Sequence, residues 1–253
     1  MFSKRYQLIL SLSLFLLSIF FLPTFAIVGG REVDITEVPY TVHLIVDGRM
    51  FCGGSILSEW YILTSAQFVY EFIKDPSKIE IYYGSKKFSK GTKVTGANVT
   101  LIRYDPLTQA NNLAVVGTAE KIILNNSTSK AVNLPGVEYD PIPSTTVLVS
   151  GWGETEESKN ESNLMAANFT VWDRTECQKQ YTTHISFEEF CAGNATTRIG
   201  YGDSGDPAVQ NDLLVGSVSY ADGAKPEAPT VFTKIGAFVL TIQNIMAGKH
   251  PKN

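Results

Sequence analysis

From Ile27 onward the chain is a succession of short apolar runs separated by turn residues. Residues 40–46, 78–83, 113–116, 146–149 and 213–218 are rich in β-branched and aromatic side chains. Such runs at short intervals predict strands of a barrel or sandwich rather than βαβ units. One segment has a different period. Ile235, Phe238, Val239, Ile242, Ile245 and Met246 recur at helical spacing and predict a C-terminal helix whose apolar stripe docks on the core. No internal repeat or low-complexity stretch interrupts this pattern. The Pro-bearing stretch at Leu134-Pro135-Gly136 is the candidate boundary between two halves, 27–133 and 134–253.

The first 26 residues are patterned differently. Lys4 and Arg5 precede a nearly unbroken apolar stretch over 8–22, followed by Thr24-Phe25-Ala26. A basic start, an apolar centre and a small residue at the end make a cleavable secretory signal peptide. The apolar stretch falls short of the ~20 residues needed to cross hydrocarbon. A secreted, extracellular protein with no membrane association after cleavage is therefore expected. Six Asn-X-Ser/Thr triplets, at Asn98, Asn125, Asn126, Asn160, Asn168 and Asn194, are candidate glycosylation sites in that compartment.

Composition narrows the partners. The 253 residues are 44% hydrophobic and 18% charged, an ordinary globular balance that excludes disorder, collagen and coiled coil. Lys+Arg 21 against Asp+Glu 25 gives a formal net charge of −4, and cleavage of the leader removes two positive charges more. There is no basic run, so nucleic acid is not an expected partner. The three cysteines and three histidines do not cluster at ligand spacing, so neither a metal nor another cofactor is expected.

A set of motifs in order carries a resemblance. Ile27-Val-Gly-Gly30, Phe51-Cys-Gly-Gly-Ser-Ile-Leu57, Ser150-Gly-Trp-Gly153, Phe190-Cys-Ala-Gly193, Gly202-Asp-Ser-Gly-Asp-Pro207 and Pro229-Thr-Val-Phe-Thr-Lys234 run in the order found in trypsin-like serine proteases. The resemblance covers essentially all of 27–253. It implies an all-β fold of two six-stranded antiparallel β-barrels with a C-terminal α-helix, and a site between the barrels.

The chemistry of that family needs a serine, a histidine that takes its proton, and a carboxylate that orients the histidine. Ser204 holds the nucleophile position. The histidine motif reads Leu63-Thr-Ser-Ala-Gln-Phe68, which puts Gln67 where the base belongs, and Asn111-Asn-Leu-Ala-Val115 puts Asn112 where the acid belongs. An amide has no pKa near neutrality and cannot accept and return a proton. The remaining histidines, His43, His184 and His250, lie in a strand-like run, a polar stretch and the tail, so none is expected to substitute.

The resemblance assigns further positions. The amides of Gly202 and Ser204 match the oxyanion hole. Arg198, Ala221 and Thr230 fall at primary-pocket positions, and Ala221 and Thr230 replace residues that are usually glycine. A closed or distorted pocket is expected from them, because any side chain there takes up substrate space. Cys177 and Cys191 match a family disulfide. Cys52 matches another family cysteine, but its partner position reads Phe68, so a buried free thiol is expected, an intermolecular disulfide being the alternative. The pair that braces the pocket in the family reads Gly200 and Ala224. The amine of Ile27 would pair with Asp203, and with Ala26 directly before Ile27, signal cleavage alone would expose it.

The chain is most similar to the inactivated protease paralogues of scabies mites, which accompany active mite trypsin allergens. That resemblance implies a pseudoprotease, expected as a monomer, that binds host extracellular proteins and interferes with complement. Two other readings are a competitor that masks protease cleavage sites and a very slow serine hydrolase.

Overall fold

In the computed structural model the described residues are 27–153, 163–194, 196–223, 225 and 227–248. The leader, Asn160, Ala224 and His250 lie outside them. After a two-residue strand β1 (Arg31–Glu32), the first half forms β2 (Thr41–Val46), β3 (Met50–Ile56), β4 (Tyr61–Thr64), β5 (Ile79–Tyr83), β6 (Thr92–Leu101) and β7 (Ala114–Thr118). These close into an antiparallel barrel in the order β2-β3-β4-β7-β6-β5. Leu44, Ile56, Ile62, Ile81 and Val116 fill it, and Cys52 lies among them.

The second half forms β8 (Thr146–Gly151), β9 (Met165–Thr170), β10 (Glu189–Ala192), β11 (Pro207–Gln210), β12 (Leu213–Tyr220) and β13 (Thr230–Lys234). The order is β1-β9-β8-β11-β12-β13-β10. Closure is made just past β9, where Val171 bridges Ala192 and Trp172 N–H donates to the Cys191 carbonyl at 2.9 Å. The expected six strands are therefore joined by a seventh, β1, whose Arg31 pairs with Ala166. Val149, Phe169, Phe190 and Phe232 fill this half, together with Ile27 from the start of the chain. Asn211 and Asp212, both at positive φ, turn β11 into β12. Two left-handed residues match the twist of the paired strands.

The terminal stripe docks as expected, in a different local form. Ile235–Phe238 is a 3-10 turn, and the helix proper is Val239–Ala247. Ile235, Phe238 and Ile242 pack with Leu63, Leu113 and Val115 of the first barrel and with Val209 and Leu214 of the second. The stripe thus holds both halves. Among the described residues no helix is long and apolar enough to cross a membrane.

Cys177, on helix α2 (Arg174–Gln178, the second α-helix after a short one described below), is bonded to Cys191 of β10 across 14 positions. Asp173 caps that helix, its Oδ1 accepting from Thr175 N–H at 2.8 Å. Replacing both cysteines by serine should lower stability by about 3 kcal/mol, the value for a loop of this length. Thermal unfolding of that variant under non-reducing conditions is the check. Cys52 is free and 1% exposed. Burial pushes its thiol up to about 12, and an intermolecular disulfide would require the barrel to open. Phe68, at the expected partner position, packs against the same core.

Candidate functional site

Three segments meet beside the junction of the barrels. After β4, Ser65 starts the short helix α1 (Ala66–Val69), which carries Gln67. The turn before β7 carries Asn112, 2% exposed. The turn before β11 carries Ser204, whose carbonyl accepts from Gly53 N–H of β3 at 2.8 Å, a bond between the two halves. Gly205, at φ 90°, lets the turn pass: a Cβ there would lie 2.3 Å from the Gly53 carbonyl oxygen.

The side chains form one relay. Gln67 Nε2 donates to Ser204 Oγ at 3.2 Å. Asn112 Nδ2 donates to Gln67 Oε1 at 3.1 Å and to Ser219 Oγ at 3.3 Å. Asn112 Oδ1 accepts from the backbone N–H of Gln67 at 2.9 Å. That last bond sets the polarity of the whole relay. A backbone N–H can only donate, so Asn112 must turn its oxygen toward it and its nitrogen toward Gln67 Oε1. Gln67 is then left to present Nε2 to the serine. Ser204 Oγ receives a proton donor, and its own hydroxyl donates to the Ser219 carbonyl at 3.4 Å. A base would have to accept at that position, so the relay runs opposite to the direction that activates a serine.

Among the described residues no histidine stands in. His43 lies in β2, stacked on Tyr82 and Phe88 with Trp152 edge-on. Its Nε2 accepts from Ser89 N–H at 2.9 Å, and burial lowers its pKa to about 3. His184 is exposed.

Gly202, at φ 92°, stands under the ring of Phe51, which an added Cβ would approach to 2.3 Å. Tyr201, 60% exposed, packs edge-on against the same ring. Among the described residues, no partner within the chain takes up the N–H of Gly202 or of Ser204. A cleft of about 710 Å³ opens here, lined by Gln67, Phe68, Ile199, Ser204, Ser219 and Ala221 among others.

The pocket expectation is corrected in part. The cleft is open beside Ser204, and only Ala221 of the three pocket positions lines it. Arg198 is exposed, because its backbone bridges Val28 and its N–H donates to the Val28 carbonyl at 3.1 Å, which holds it away from the cleft. Thr230 is 3% exposed in β13, paired with Ala192. Ile199, not singled out in the sequence, takes the cleft-lining role beside Gly200.

Ile27 is fully buried, and its nitrogen donates to Asp203 Oδ2 at 3.4 Å. The same carboxylate accepts from Gly200 N–H at 2.6 Å and from Gly153 N–H at 2.9 Å. Ile27 sits at φ 40°. That is strained for a β-branched residue when a carbonyl precedes it. A chain beginning at Ile27 is free of that strain.

Of the triplet asparagines, Asn168 and Asn194 are exposed neighbours, Asn194 Nδ2 donating to the Asn168 carbonyl at 3.3 Å. Asn126 is exposed, and Asn125 uses its Oδ1 to cap the turn at 127–129. Asn98 is half-buried at a bulge, its Oδ1 accepting from Gly117 N–H at 3.3 Å. Among the described residues no group of three or more His, Cys, Asp and Glu side chains could hold a metal ion.

Residues 27–242 match the family described as Trypsin. The chain belongs to the trypsin family. Trypsin Blo t 3 of Blomia tropicalis is 31% identical over 230 residues, covering 86% of this chain and 85% of that one. Serine protease 1 of Homo sapiens is 30% identical over 229 residues, covering 87% and 90%. Among solved structures, the scabies mite inactivated protease paralogue S-D1 superposes with a TM-score of 0.81 at 46% identity, over 90% of this chain and all of the other. The paralogue S-I1 gives a TM-score of 0.81 at 35% identity, over 87% of this chain. This trypsin-family chain therefore resembles two members that are named as inactivated.

Proposed function

We propose that this protein is a secreted, catalytically silent trypsin homologue that acts by binding, through its outer surface, to host extracellular defence proteins of the complement system. The observation that carries the silent part is the relay polarity: Gln67 donates to Ser204 Oγ where a base would have to accept. The resemblance to proteins named as inactivated protease paralogues supports the same reading. The complement partner rests on that resemblance. The acidic balance of the chain suits a partner with basic patches, an effect mainly on association rate and screened by salt.

One observation favours masking of cleavage sites instead: the cleft beside Ser204 is open and lined partly by apolar side chains. A complement-lysis assay separates the two. The purified protein should inhibit lysis, and Ser204→Ala and Tyr201→Ala, the latter removing an exposed ring at the cleft rim, should inhibit equally. Loss of inhibition in the cleft variants would move the activity into the cleft. Absence of inhibition by any version would refute the complement partner.

A further inference from the structure

Asp206 has no exposure to solvent, and neither of its carboxyl oxygens meets a hydrogen-bond donor among the described residues. Its backbone is firmly held. The N–H donates to the Asp203 carbonyl at 3.0 Å, and the carbonyl accepts from Val218 N–H of β12 at 3.0 Å. The side chain points into space that two glycines leave open. A Cβ on Gly53 would lie 1.7 Å from Oδ1, and a Cβ on Gly151 would lie 1.5 Å from Oδ2. Gly53 belongs to the first barrel and Gly151 to the second, so this carboxyl is pressed between both walls at their junction.

The titratable groups facing it are few. Asp203 comes from the same turn, with the Ile27 nitrogen on its far side. The Cys52 thiol comes from β3, close enough for the charge of Asp206 to raise its pKa. From β8 and β12 come Gly151 and Val218, neither of which titrates. In a chain beginning at Ile27 one buried amine can balance one carboxylate, and Asp203 takes it together with two backbone N–H groups. A second buried carboxylate has nothing to offset its charge, and such a group neutralises instead. Asp203 and Asp206 share one turn, closed by the Asp206 N–H on the Asp203 carbonyl, and the charge of Asp203 bears on Asp206. Two carboxylates have no proton to place between them; an acid and a carboxylate have one.

We propose that Asp206 is a neutral carboxylic acid that donates to the Asp203 carboxylate, and that loss of its proton loosens the seam between the two barrels beside Ser204. Gly53 carries the consequence to the site, since the strand wall against Asp206 is the one whose N–H holds the Ser204 carbonyl at 2.8 Å. Burial first, and then the charge of Asp203, raise the Asp206 pKa well above the ordinary carboxyl value. The unfolded chain releases this proton near about pH 3.9. Stability from the bound proton is therefore complete below that pH and is lost as pH rises through the folded value. The pair titrates as a unit.

The test compares the mature protein with Asp206→Asn, whose amide supplies a permanent donor to Asp203, and with Asp206→Ser as a second, smaller donor. Urea unfolding is followed from about pH 5 to about pH 7.5, below the range in which the α-amine deprotonates. The unfolding constant of the parent divided by that of a variant should rise with pH, approaching about tenfold per unit for one proton. Titrations shared by both proteins, such as that of His43, cancel in the ratio. Maleimide labelling of Cys52 should accelerate with pH severalfold more in the parent than in the variants. An infrared band of a protonated carboxylic acid should be present in the parent near neutrality and absent from Asp206→Asn. Parallel pH profiles of parent and variants, or a parent without that band, would overturn the proposal, and the band is readable even where a variant does not fold.

Discussion

A fluorophosphonate incubated with the purified protein should leave Ser204 unmodified, and peptide and ester substrates should remain uncut. The expected deficit against an active trypsin is roughly 10⁶ in turnover, the loss seen when such a triad is deprived of its histidine. The reason is structural as well as compositional. Gln67 cannot accept a proton, and its Nε2 occupies a lone pair of Ser204 Oγ at 3.2 Å. The hydroxyl is meanwhile directed to the Ser219 carbonyl. The N–H groups of Gly202 and Ser204 could still polarise a carbonyl, but without a base they leave only a small residue of catalysis. Labelling at a rate near that of an active trypsin would contradict the relay as described. Gln67→His combined with Asn112→Asp separates two defects. It supplies a base and its orienting carboxylate, yet peptide turnover should stay low, because the open cleft is lined by no charged side chain among the described residues and Arg198, at the matching pocket position, faces solvent. Robust peptidase activity in that variant would show the relay to be the sole block.

The second large effect is on stability. Secreted protein should begin at Ile27, and one extra residue ahead of it, or Asp203→Ala, should each cost about 3–5 kcal/mol, as expected when one member of a buried pair is removed. The corresponding fall in melting temperature is roughly 6–20 °C for a chain of this size. Ile27 is fully buried with its nitrogen 3.4 Å from Asp203 Oδ2, so an added residue must either pull the terminus out or bury another peptide group. The extension isolates the amine, whereas Asp203→Ala also takes away the neighbour of Asp206. Unchanged melting of both variants, by calorimetry, would mean that the terminus contributes nothing where it lies.

Much of the fold is legible in the sequence. The five apolar runs all fall in strands, with ends shifted by up to two residues. β6 left no such trace, since Thr92–Leu101 mixes buried and half-exposed positions and bulges between Gly96 and Asn98. The seventh strand of the second sheet was equally silent, because a two-residue strand is defined only by its partner, here β9. The resemblance assigns Arg198 by its place along the chain. Place along the chain gives a backbone position, and the bridge to Val28 sets that backbone apart from the cleft.

The sequence by itself determined the chemistry that is missing. Whether a side chain can take up a proton near neutral pH belongs to its functional group, so Gln67 and Asn112 exclude the usual base and acid wherever they lie. It also determined the short apolar runs that make strands and the stripe that docks the terminal helix, since both are local patterns. The tertiary structure alone decided direction and neighbours. The relay runs from Asn112 through Gln67 toward Ser204 because a backbone N–H on α1 meets a side chain 45 positions away. Asp206 reads as one more acid in a polar turn until Gly53 and Gly151, from opposite barrels, enclose it. Hydrogen-bond polarity and desolvation are set by what surrounds a group in space, and in a barrel those surroundings come from distant parts of the chain.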